Sequence, residues 1–95
     1  MIDKGMIDKK LEPFPEVTCT ELDDEAVLLN LETKTYYTLN KPAIYVWQLL
    51  NNGINLTEIV QRVGEEFEVD REIAEKNVSN LIDELVREQL VKVIV

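Results

Sequence analysis

Apolar residues in this chain keep two different periods, and the change falls at Asn40. Upstream the pattern alternates. VTCTEL (17–22) sets β-branched against polar side chains and predicts a strand. AVLLNL (26–31) is a near-continuous apolar run and predicts a buried strand. TYYTL (35–39) predicts a third, with Tyr37 and Leu39 on one face and Tyr36 and Thr38 on the other. Asp23-Asp24 and Glu32-Thr33-Lys34 are short turn-forming connections, so the three strands form an antiparallel meander.

Downstream the period becomes helical. Asn40 is a good N-cap and Pro42 sits in a first turn, where its missing N–H costs nothing. Ala43, Val46, Trp47 and Leu50 then recur at i, i+3, i+4, i+7 in a helix over 41–51, with Gly53 placed for a left-handed C-cap. Asn55 or Thr57 caps a second helix reaching about Phe67, with Ile59, Val60, Val63 and Phe67 on its inner face. Asp70 caps a third reaching about Glu88, stapled by Val69 and Ala74 and buried along Ala74, Val78, Leu81 and Leu85. LVKVIV (90–95) predicts a short terminal strand.

Residues 1–14 are expected to be a flexible lead-in to a single domain over 15–95. Met-Ile-Asp-Lys occurs at 1–4 and again at 6–9, and Pro13 and Pro15 favour extended backbone. The fold class is therefore α+β: an N-terminal three-stranded antiparallel sheet, three helices and a short final strand. That is the outline of a winged helix-turn-helix, with most of the sheet ahead of the helices.

Composition narrows what such a domain can do. There is no histidine and one cysteine, Cys19, which excludes Cys/His zinc sites, histidine-based catalysis and an intrachain disulfide. Asp23-Asp24-Glu25 lacks the alternating ligands of a calcium loop and reads as a solvated turn, so neither metal nor cofactor is expected. No apolar run is long enough to span a bilayer and MIDKGMIDKK is no secretory signal, which points to a cytoplasmic protein without membrane partners. The formal charge is −9, from 10 basic and 19 acidic residues. The second helix sets Arg62 against Glu58, Glu65, Glu66 and Glu68. The third sets Arg71, Lys76 and Arg87 against Glu72, Glu75, Asp83, Glu84 and Glu88. Neither would enter a major groove without repulsion, so nucleic acid is not the expected partner.

The feature left over is the third strand as an edge. In a meander it has one neighbour, and residues 35–39 contain no charge or proline to blunt it. Such an edge accepts a partner strand, unless the third helix or a dimer partner covers it. Ile82 and Val86 extend the apolar width of the third helix. They either widen its buried face or line a groove with Val78 and Leu85 beside that edge. The candidate peptide-binding residues are therefore Thr35, Tyr36, Tyr37, Thr38, Leu39, Val78, Ile82, Leu85 and Val86. Tyr36 flanks a groove on this reading and is a half-buried surface ring otherwise. Acidic surroundings favour a peptide carrying Lys or Arg.

The segments EAVLLNLETKTYYTLNKPAIYVWQLL, LTEIVQRVGEEFEVD and LIDELVREQLV together resemble the PqqD-like family, the RiPP precursor peptide recognition elements, over about residues 16–92. Gln89 stands where many members carry glycine. The resemblance implies a small winged-helix-like domain that is not catalytic. It implies a peptide chaperone in natural-product biosynthesis. The leader of a ribosomally made precursor adds to the third strand, packs on the third helix, and is presented to a modifying enzyme. In PqqD itself that enzyme is a radical SAM protein; in lasso-peptide systems a free-standing member works with a leader peptidase. A homodimer stays open, as does an alternative from another class, an acidic winged-helix scaffold for protein–protein assembly without peptide recognition.

Overall fold

A computed structural model describes residues 10–94. In chain order the elements are β1 (Lys10–Pro13), β2 (Val17–Leu22), β3 (Glu25–Asn30), β4 (Tyr36–Leu39), α1 (Lys41–Asn51), α2 (Leu56–Glu66), α3 (Arg71–Arg87) and β5 (Val91–Ile94). The expected meander is β2-β3-β4, antiparallel throughout, with Leu28 opposite both Cys19 and Tyr37. Alternation sends Ala26, Leu28 and Asn30 of β3 inward. On β4 it buries Leu39 completely and leaves Tyr36 71% exposed. The three helices and the terminal strand follow in the order the pattern predicts.

The lead-in is corrected in part. Residues 10–13 are a strand, not a flexible approach, and β1 pairs with β5 so that Leu11 faces Val93 and Pro13 faces Val91. Leu11 is 5% exposed and belongs to the same apolar cluster as the helices, so the folded unit begins no later than residue 10. Pro13 is tolerated because β1 has one neighbour among the described residues, leaving an unbonded side for a residue without an N–H. The Phe14 N–H continues the contact to the Leu90 carbonyl at 3.2 Å, and the Lys92 ammonium lies 5.7 Å from the Phe14 ring centroid. The repeated Met-Ile-Asp-Lys at 1–4 and 6–9 lies outside the described residues.

The core is one cluster between the sheet and the helices. α1 contributes Val46, Trp47, Leu49 and Leu50; α2 contributes Leu56, Ile59, Val60 and Val63. α3 differs from expectation. Ile82 is 0% exposed while Leu81 is only half-buried. Ala74, Val78, Ile82 and Leu85 are spaced i, i+4, i+8, i+11, the true 3.6-residue stripe, and Leu81 sits on its shoulder.

The caps explain where the helices start and stop. The Asn40 carboxamide oxygen accepts from Ala43 N–H at 3.0 Å, and Asn55 rather than Thr57 caps α2 through Glu58 N–H at 2.9 Å. Asp70 holds the N-cap position of α3 but makes no side-chain cap hydrogen bond. Its charge still favours the positive end of the helix dipole. Each helix is followed by a residue in the left-handed region: Gly53 (φ 76°), Glu68 (φ 52°) and Gln89 (φ 59°). After α3, Leu90 N–H returns to the Leu85 carbonyl at 2.9 Å and Gln89 N–H to Val86 at 3.1 Å, the Schellman pattern that favours glycine at Gln89's position.

That corner is tied to the sheet by Asn30, which is 3% exposed. Its Nδ2 donates to the Gln89 carbonyl at 2.7 Å, and its Oδ1 accepts from Glu32 and Thr33 N–H at 2.9 and 3.0 Å. One carboxamide thus fixes the β3–β4 turn and the α3–β5 corner together, setting β4 against α3.

Candidate functional site

β4 is the outer strand of its sheet, with β3 as its sole partner among the described residues. Which backbone groups are left over follows from one bond. Asn30 N–H donates to the Thr35 carbonyl at 2.9 Å, making this a hydrogen-bonded pair. In an antiparallel ladder such pairs alternate. Tyr37 and Leu39 therefore spend their N–H and C=O on Leu28 and Ala26, while Tyr36 and Thr38 aim theirs at the open side. Two donors and two acceptors stand ready there for another strand.

Beside this edge, between β4 and α3, lies a groove of about 560 Å³. Tyr37, Thr38 and Asn40 form its sheet wall, and Asn77, Asn80, Leu81 and Glu84 its helix wall. Val46, Val63, Val78, Phe67 and Val69 give it an apolar floor, and the Phe67 ring is held edge-on by Tyr45 at 5.8 Å between centroids. The Tyr37 hydroxyl crosses from β4 to α3 and donates to Glu84 Oε2 at 2.6 Å. Burial first, then the Glu84 bond and charge, push the Tyr37 hydroxyl up to about 12, so it remains a donor at every physiological pH.

The residues expected from sequence divide. Tyr37 and Thr38 line the groove, Leu39 is buried in the core, and Thr35 and Tyr36 lie on β4 and its approach. Tyr36 points its ring to the outer face of the sheet, away from the groove. Val78 is part of the floor. Ile82 and Leu85 are each 0% exposed and Val86 is packed against the core; none of the three lines the groove. Their apolar width belongs to the buried stripe. The helix face that meets β4 is Asn77, Leu81 and Glu84, one turn-step around. Its signal was available as an i, i+4, i+7 series flanking the core stripe, but it is mixed in character and carries no periodic hydrophobicity.

Among the described residues no group of His, Cys, Asp or Glu is arranged to hold a metal, and no helix is long and apolar enough to cross a membrane. Partial burial and then the Glu21 carboxylate raise the Cys19 thiol, which keeps it protonated at neutral pH.

A strand edge beside an apolar-floored groove, on three helices with the β1–β5 pair at one end, is an arrangement of the winged-helix type. The family model described as coenzyme PQQ synthesis protein D (PqqD) matches residues 25–91, and the chain belongs to that family. Two solved structures share the fold. TbiB1 in complex with the TbiA(beta) leader peptide is 32% identical with a TM-score of 0.79, over 85% of this chain and 94% of that one. Lasso peptide synthetase B1 complexed with the leader peptide is 26% identical with a TM-score of 0.80, over 87% of this chain and 98% of that one. No curated protein matches the chain.

Proposed function

We propose that this protein is a non-catalytic adaptor that captures the leader segment of a ribosomally made precursor peptide and presents it to a modifying enzyme or leader peptidase. The observation that carries the reading is the edge of β4 at Tyr36 and Thr38, unpaired among the described residues and standing over the groove against α3. The leader adds as a fourth strand, its backbone bonding Tyr36 and Thr38 while alternate side chains enter the groove. Backbone pairing gives affinity, and Tyr37, Val78, Leu81, Asn77 and Glu84 give selectivity. Both solved relatives hold a leader peptide, which supports the same class of occupant here. Catalysis then belongs to the partner, and the adaptor acts by effective concentration, making the enzyme's encounter with the core peptide intramolecular. Its place is the cytoplasm, where precursor peptides are made.

The test is a fluorescence-anisotropy titration with the leader of the precursor encoded beside this protein's gene. Micromolar or tighter binding, weakened by Leu81→Glu in a variant that melts like the parent, is the expected result. No binding to any neighbouring leader would overturn the proposal in favour of a protein–protein scaffold.

A further inference from the structure

We infer that the groove selects a leader carrying a basic side chain two residues away from an apolar one, with the Glu84 carboxylate receiving the basic group. The inference rests on the leader-binding reading above and adds the chemistry of the ligand to it.

The alternation of β4 sets the geometry. A strand paired with Tyr36 and Thr38 places every second side chain on the face occupied by Tyr37 and Leu39, which is the face over the groove. Inward positions two residues apart are separated by about 7 Å. Along α3, Asn77 to Glu84 covers about 10 Å, so the helix wall is long enough for two inward side chains.

The two seats differ. Toward the start of α3, into which Phe67 and Val69 lead, the floor is Val63, Phe67 and Val69, suited to an aliphatic or aromatic side chain. Toward Tyr37 the wall ends in Glu84. Glu84 and Glu25 line the groove, and among the described residues no Lys or Arg does. Around Glu84, α3 carries Asp83 and Glu88, with Arg87 the nearby cation, in a chain of net charge −9. The bond from Tyr37 orients Glu84 without saturating it, because a carboxylate accepts about four hydrogen bonds. A Lys or Arg entering here would lay its methylene stem along half-buried Leu81 and its charge on Glu84. Glu84 is then a specificity residue and Tyr37 its positioning residue.

The experiment selects binders to the intact protein from a displayed library of random short peptides, in parallel for the parent, Glu84→Gln and Glu84→Lys, each first checked for an unchanged melting transition. Peptides selected by the parent are expected to share a Lys or Arg two positions from an apolar residue. Replacing that basic residue by leucine should weaken binding to the parent roughly tenfold and leave binding to Glu84→Gln nearly unchanged. Glu84→Lys should select Asp or Glu at the same position. Peptides that shift the amide signals of β4 but share no basic position, or whose basic residue matters equally to Glu84→Gln, would overturn the charge selection and leave strand addition standing. Failure of every peptide to perturb β4 or α3 would overturn both.

Discussion

Asn30→Ala is the substitution with the widest consequence for the architecture of the site. It removes three hydrogen bonds, one donated to the Gln89 carbonyl at 2.7 Å and two accepted from Glu32 and Thr33 N–H. At about 1 kcal/mol net for each bond, the ceiling is about 3 kcal/mol. Glu32 and Thr33 are exposed and their amides recover bonds to water, which brings the expected loss to about 2 kcal/mol. For a chain of this size, with m near 1–2 kcal/mol/M, the urea midpoint should fall by about 1–2 M at unchanged slope. Asn30→Asp separates the contributions. It keeps both turn contacts, loses the donor, and sets a carboxylate against the Gln89 carbonyl, so it should be no more stable than Asn30→Ala. A loss below about 0.5 kcal/mol for alanine would refute the idea that one carboxamide locks β4 to the α3–β5 corner. So would full recovery with aspartate.

Other outcomes follow from the same geometry. Gln89→Gly relieves a left-handed residue inside a Schellman turn and should stabilise by about 0.5–1 kcal/mol, read as a higher melting temperature. Ile82→Ala removes a 0%-exposed core side chain and should cost about 2–5 kcal/mol, while Leu81→Ala costs far less stability and lowers leader affinity. Tyr37 has its folded pKa raised to about 12 from an ordinary 10, so its contribution is full below pH 10 and is lost as pH rises through 12. Alkaline melts of the parent should therefore fall more steeply over that window than those of Tyr37→Phe.

The sequence made some parts of this structure legible and hid others for physical reasons. Alternation at Tyr36–Leu39 and the 43, 46, 47, 50 series are local patterns that fix which face is buried, and both faces match the structure. The strand β1 was not legible. Its partner lies some 80 residues away, and its single apolar residue, Leu11, sits among charges and prolines with no period to detect. The rotation of α3 was ambiguous because Leu81, Ile82, Leu85 and Val86 are all apolar, and only packing decides which of them faces inward. Packing puts Ile82 in the buried face, the first of the two readings, and the groove's helix wall at Leu81 and Glu84. In the sequence Asn30 is one more position in an apolar run. Its role depends on a carbonyl 59 residues further along the chain.

Strand addition at β4 is the central claim, and amide hydrogen exchange of Tyr36 and Thr38 tests it most directly. In the free protein these two N–H groups face the open side and should exchange rapidly, while those of Tyr37 and Leu39, bonded to β3, are protected. Saturating leader peptide should protect Tyr36 and Thr38 and leave their two neighbours as they were. A leader that binds tightly without slowing exchange at Tyr36 and Thr38 would show that it is held elsewhere, and the β4 edge would lose its assigned role.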